Sequence, residues 1–142
     1  MPRVSVWLVR ASLLQLLSGA LLGAAYLAFK AEGWFAILVT HLGTHQEQML
    51  VGWMVQLVIG VAYWILPRSD GQGPKDSERI MWVVFGLLNA GVLVAALGTD
   101  PSWPASLLLI GRVAETAAAV LFARHAWKRQ RAYREGVRTV LV

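Results

Sequence analysis

Residues 80–98 read IMWVVFGLLNAGVLVAALG: nineteen residues, no charge, and one amide, Asn89. At 1.5 Å per residue such a run covers about 28 Å, close to the roughly 30 Å of a bilayer's hydrocarbon layer. Three other stretches share this character. Residues 11–29, ASLLQLLSGALLGAAYLAF, also carry no charge. Residues 34–66 form a run of 33, about 50 Å as a helix, which must project beyond the hydrocarbon or begin as an interfacial turn near Gly43. Residues 103–127 are apolar apart from Arg112, Glu115, Arg124 and polar Ser106, Thr116 and His125. Between the runs lie helix breakers: Gly33, then Pro67 with a Gly/Pro-rich loop to Lys75, then Asp100-Pro101. Ser102 is positioned to cap the last helix, with Pro104 in its first turn.

The composition agrees. Of the 142 residues 57% are hydrophobic and 15% charged, against about 45–50% and 25% in soluble domains. Mean hydropathy is +0.56. Net charge is +5, but the basic residues gather at the ends of apolar runs, which argues against a nucleic-acid partner. With no cysteine, disulfides, iron–sulfur clusters, thiolate zinc and attached c-type haem are excluded. The apolar run after Arg3 and Arg10 is longer than the 7–15 residues of a signal peptide's core and lacks a small-x-small cleavage site, so it reads as a retained helix.

The expected fold is therefore all-α: an integral membrane four-helix bundle, one domain over residues 1–142, with helices at about 7–29, 34–66, 80–98 and 103–127 and a basic tail at 128–142. With four spans both termini share a side. That side receives Arg3, Arg10, Arg68, Lys75, Arg79 and six basic residues from Arg124 to Arg138, 11 of the 13 in the chain. The opposite loops offer only Lys30. The positive-inside rule then places both termini in the cytoplasm and the chain in the cytoplasmic (inner) membrane, multi-pass. Trp7, Trp64, Trp82 and Trp127 fall at the inner ends and Trp34 and Trp103 at the outer ends, as an aromatic belt requires. The tail reads as a surface helix against anionic lipid, and His125 as a side chain that snorkels with it.

The chemistry concentrates in the second helix, His41-Leu-Gly-Thr-His45-Gln-Glu-Gln-Met-Leu-Val-Gly52-Trp53. His41 and His45 are four apart and share a helical face. Steps of three and four continue through Gln48, Gly52, Gln56, Gly60 and Tyr63, one polar or small stripe on an apolar helix. Lipid does not tolerate His and Gln, so the stripe faces protein or a cofactor. Packing alone explains small residues and Gln; the two histidines add metal chemistry, since neutral imidazole is the commonest metal ligand. His41, His45 and Met49 also form a short ladder suited to copper. Arg112 and Glu115, i and i+3, read as an internal ion pair; alternatively Arg112 meets Glu47 or a haem propionate. Asn89 reads as helix–helix glue and Gly19-x-x-x-Gly23 as a close-packing motif.

His45 followed by Gly52-Trp53, with Gly60-Val-Ala-Tyr-Trp-Ile-Leu-Pro67, resembles the second helix of subunit I of the haem–copper oxidases and nitric oxide reductases. In that family a His seven residues before the Gly-Trp pair ligates a low-spin haem, and the register selects His45, not His41. A related His-x-His-Glu-Met-Leu-x-Gly box occurs in a membrane haem–copper family linked to the nitric oxide response, with Glu47 replacing its second His. Phe85-Gly-Leu-Leu-Asn89-Ala-Gly91-Val92 is similar to the third oxidase helix. The resemblance implies a b-type haem with His45, Gly52, Gln56 and Arg112 around it and His41 as a further metal ligand. The likeness corresponds to about the first third of the oxidase subunit. The copper ligands, the active-site haem ligand and the second low-spin ligand lie on helices this chain lacks, so oxygen reduction does not carry over and enzymatic activity stays open. The implied role is electron transfer or diatomic gas binding. The alternatives are a haem-free structural or assembly subunit of a respiratory complex, or a copper-binding membrane protein. His41 and His45 share a face and His125 lies about 32 Å away along the helix axis, so the missing axial ligand is expected from a second copy, a partner respiratory subunit, Met49 or another nearby side chain after rearrangement, or a gas molecule. In a homodimer the Gly52/Gly60 stripe would line the two-fold interface.

Overall fold

The computed structural model describes residues 1–31, 42–66 and 74–140. Four helices account for nearly all of them: α1 Arg3–Ala31, α2 Leu42–Ile65, α3 Pro74–Gly98 and α4 Ala105–Val140. All four contain a stretch long and apolar enough to cross a membrane: Arg3–Ala31, Leu42–Ile65, Glu78–Gly98 and Ala105–Gln130. The fold is all-α, and its apolar outer surface is suited to lipid. Leu13, Leu14, Leu17 and Leu21 on α1, and Leu109, Ile110, Val113 and Val120 on α4, are exposed.

Two helices are longer than hydropathy alone indicates. α3 begins at Pro74, whose fixed φ and missing N–H suit the first helical position. α4 runs unbroken through the basic tail to Val140, because Ala, Lys, Arg and Gln are strong helix formers even where the sequence ceases to be apolar. α4 starts after Pro104, not at Trp103. The turn before it is held by Asp100, whose Oδ1 accepts from Ser102 N–H at 2.8 Å. At the end of α2, Leu66 is extended (φ −60°, ψ 131°), as the residue before a proline prefers.

The helices pair antiparallel. Along the α1–α2 seam Leu8 meets Gly60, Gln15 meets Gly52, Gly19 meets Met49, and Gly23 meets His45. Along the α3–α4 seam Gly91 meets Glu115, Ala95 meets Gly111, and Gly98 meets the Leu108 backbone. Here backbones touch, since glycine or alanine stands on both sides, the close approach that small residues allow. The apolar core joins the pairs at one end of the bundle: Val4 and Leu8 from α1, Ile59 and Tyr63 from α2, Met81, Val84 and Leu88 from α3, Ala118 from α4. Toward the other end the interior becomes polar.

α2 is not a uniform α-helix. Gln48–Val55 is a π-helical segment, and the N–H of Gln56 reaches back five residues to Val51 O. Such wide turns are rare and concentrate at functional positions. This one divides the stripe expected on a single face. His45, Met49, Gly52 and Gly60 face α1, whereas Gln56 faces Asn89 of α3.

Candidate functional site

The seat of His45 is built by α1. Glycines at 19 and 23 open a notch one turn apart. An added Cβ on Gly23 would stand 2.7 Å from His45 Cε1, and one on Gly19 would stand 2.9 Å from Met49 Sδ. No larger residue fits at either place without displacing these side chains. His45 Nδ1 lies 2.7 Å from the carbonyl oxygen of Gly19. A carbonyl only accepts, so Nδ1 carries the hydrogen and, in the neutral ring, the lone pair resides on Nε2. A histidine that ligates a metal commonly has this arrangement, with one nitrogen tied to a carbonyl and the other left for the metal.

Two residues further along, Glu47 turns to the opposite neighbour. It is only 2% exposed and forms a 2.6 Å ion pair with Arg112 of α4. The same guanidinium donates to Glu115 at 3.0 Å. Both pairings anticipated for Arg112 are thus present together, and its guanidinium is engaged by two carboxylates. Glu115 packs its Cγ against Gly91, so the α3–α4 seam holds it in place. At the N-terminal end of α2, Thr44 Oγ1 donates to Ala96 O at 3.2 Å and meets Thr99 Oγ1 at 3.1 Å.

In mid-bundle Gln56 Nε2 donates to Asn89 Oδ1 at 3.3 Å, and Asn89 Nδ2 donates to Phe85 O at 2.8 Å. Asn89 therefore acts between helices, joined to α2. At the apolar end the structure corrects two readings. His125 does not snorkel: it is buried with its ring 5.9 Å from that of Tyr63. Arg129 does not lie on a lipid surface either. It is buried, stands 4.9 Å over the Tyr63 ring and donates to Leu66 O at 2.9 Å. The last carbonyls of α2 have no partner within the helix, and a buried guanidinium supplies one. Composition gives no sign of this role, since Arg129 is one of six basic residues near the end of the chain. Its register, four residues after His125, is the sole hint.

The site residues expected from the sequence are thus dispersed. Gly52 lies beneath Gln15 of α1, Gln56 against Asn89, and Arg112 between two glutamates. Gly52 and Gly60 are filled by α1 of the same chain, so the stripe does not form an interface between copies. Met49 is turned toward Gly19. His41 falls outside the described residues. Among the described residues no group of three or more His, Asp or Glu side chains is arranged to hold a metal ion. The chain matches no protein-family model, no curated protein and no solved structure.

Proposed function

We propose that the chain is a membrane b-type haem-binding protein, akin to the first third of haem–copper oxidase subunit I, that transfers electrons or binds a diatomic gas. The observation that supports this reading is the bond between His45 Nδ1 and Gly19 O. It fixes the tautomer and ring plane and leaves Nε2 as a ligand, on the one histidine that the Gly52-Trp53 register selects. Haem would supply a one-electron couple or an open coordination position for a gas. His45 would hold the iron, and Gly19 and Gly23 would hold His45. Gly52, Gln56 and Arg112 have protein partners, so the proposed haem contact rests on His45 alone. The second axial ligand would come from a second copy or a partner subunit, through a face other than the Gly52/Gly60 stripe. The cytoplasmic placement of both termini in the inner membrane is part of the same proposal and rests on the loop charges.

The test is the visible spectrum of the purified protein in mild detergent. A sharp Soret band and a reduced alpha band are expected, lost in His45→Ala and largely kept in His41→Ala. The reverse pattern would shift the ligand by one turn. One haem per two chains is expected if the iron is shared. One observation favours a second reading, a haem-free structural subunit. The glycines of the α1–α2 seam are all occupied by side chains of the same chain, which is what packing alone requires. A colourless protein that folds and is not reconstituted by added haem would establish that reading.

A further inference from the structure

Arg112, Glu47 and Glu115 bring two carboxylates to one guanidinium inside a membrane bundle. If all three are ionised, the layer carries a net negative charge, with both carboxylates out of reach of water. Glu47 is 2% exposed and Glu115 7%. Such a charge within a span is costly unless it is paired. One cation balances one carboxylate, and the closer contact, 2.6 Å, belongs to Glu47. Glu115 meets Arg112 through Oε2 alone. Its other oxygen, Oε1, is buried and receives no hydrogen bond. An ionised carboxylate needs donors at both oxygens; a protonated one carries its own hydrogen.

We infer that Glu115 is a proton-binding site: at neutral pH it holds one proton on Oε1, beside an ionised Glu47–Arg112 pair. Among the described residues the surroundings supply no further charge to balance it. The face of α3 packed on Glu115 is Gly91. From α2 comes Glu47, while His45 and Gln48 are turned to α1. From α4 itself comes Arg112, with Thr116 donating to Arg112 O. The α3–α4 turn contributes Asp100, whose carboxylate accepts from Ser102. The Arg112 side chain is 48% exposed, so this layer reaches the surface of the bundle. Nothing in this inference depends on whether haem is bound.

The experiment is infrared spectroscopy of the full-length protein in lipid nanodiscs. At neutral pH the wild type is expected to show the carbonyl stretch of a protonated carboxylic acid, shifted in D₂O and lost on raising the pH. Glu115→Gln, an isostere of the protonated form, is expected to remove the band and leave the unfolding temperature unchanged. Glu47→Gln leaves one carboxylate for one guanidinium and is expected to remove it too, so either variant suffices if the other fails to fold. Absence of the band in the wild type at neutral pH, or its persistence in Glu115→Gln, would overturn the assignment.

Discussion

At the scale of single residues, the glycines divide into those that hold something and those that do not. Gly23 faces the His45 ring at a distance no Cβ can share. Gly23→Ala must push the ring and stretch its bond to Gly19 O, and overpacking of this kind costs about 1–3 kcal/mol. The expected outcome is a lowered unfolding temperature in detergent and, if haem is bound, a shifted or weakened Soret band. Gly86 is the control. Nothing stands within 4 Å of a Cβ there, so Gly86→Ala should be neutral or raise stability by roughly 0.5–1 kcal/mol through helix propensity. The Gln56–Asn89 bond is a third case. Hydrogen bonds between membrane helices average about 0.6 kcal/mol, so a double-mutant cycle with Gln56→Leu and Asn89→Leu should return a coupling of that size. A coupling near zero would mean that the amides are packed together but not bonded.

Among the elements, α4 departs furthest from the bounds that hydropathy indicates. Its pairing with α2 is made by long side chains: Arg112 to Glu47 toward one end, and Arg129 to Leu66 O toward the other. Arg129→Met keeps the apolar stem and removes the guanidinium. Losing a charge-assisted bond to a buried carbonyl costs about 1.5–3 kcal/mol, so this variant should unfold earlier, and Arg124→Met, at an exposed position of the same helix, should not. Helix existence was legible, because apolar runs of the right length between Gly and Pro have few other solutions. Helix ends at Pro74 and Val140 were not, since hydropathy marks where lipid stops and the backbone continues. The partners of each polar residue were legible only where sequence spacing sets them, as for Arg112 and Glu115. Glu47 lies 65 positions from Arg112, and only the packing of α2, α3 and α4 brings them together. The division of the α2 stripe was hidden for another reason: counting by threes and fours assumes a regular α-helix throughout.

For the whole molecule, the interior has two characters. One end is an apolar core around Leu8, Met81 and Leu88; the other holds His45, Glu47, Arg112 and Glu115. Trp7, Trp64, Trp82 and Trp127 are exposed around the apolar-core end, the end that also receives most of the basic residues of the sequence. The charge bias leads to a direct expectation for orientation. A reporter enzyme fused after Val142 should be active in the cytoplasm, and one inserted in the α3–α4 turn at Ser102 only on the far side. Activity of the C-terminal fusion on the far side would invert the bundle and place His45 near the cytoplasm instead.

The wide turn in α2 acts as a phase shift between two halves of one helix. Removing a single residue from 48–55 would let the segment relax to α geometry. The wide segment holds about one residue more than an α-helix needs for the same rotation, so everything downstream would stay nearly in phase with His45. Gln56 would still face Asn89, Gly60 would still face Leu8, and Tyr63 would still face His125. A one-residue deletion within 48–55 should therefore be tolerated better than one in the regular α-helical stretch 56–65, which turns all that follows by about 100°. The two halves of α2 can each keep their own neighbours only because the helix between them is out of step.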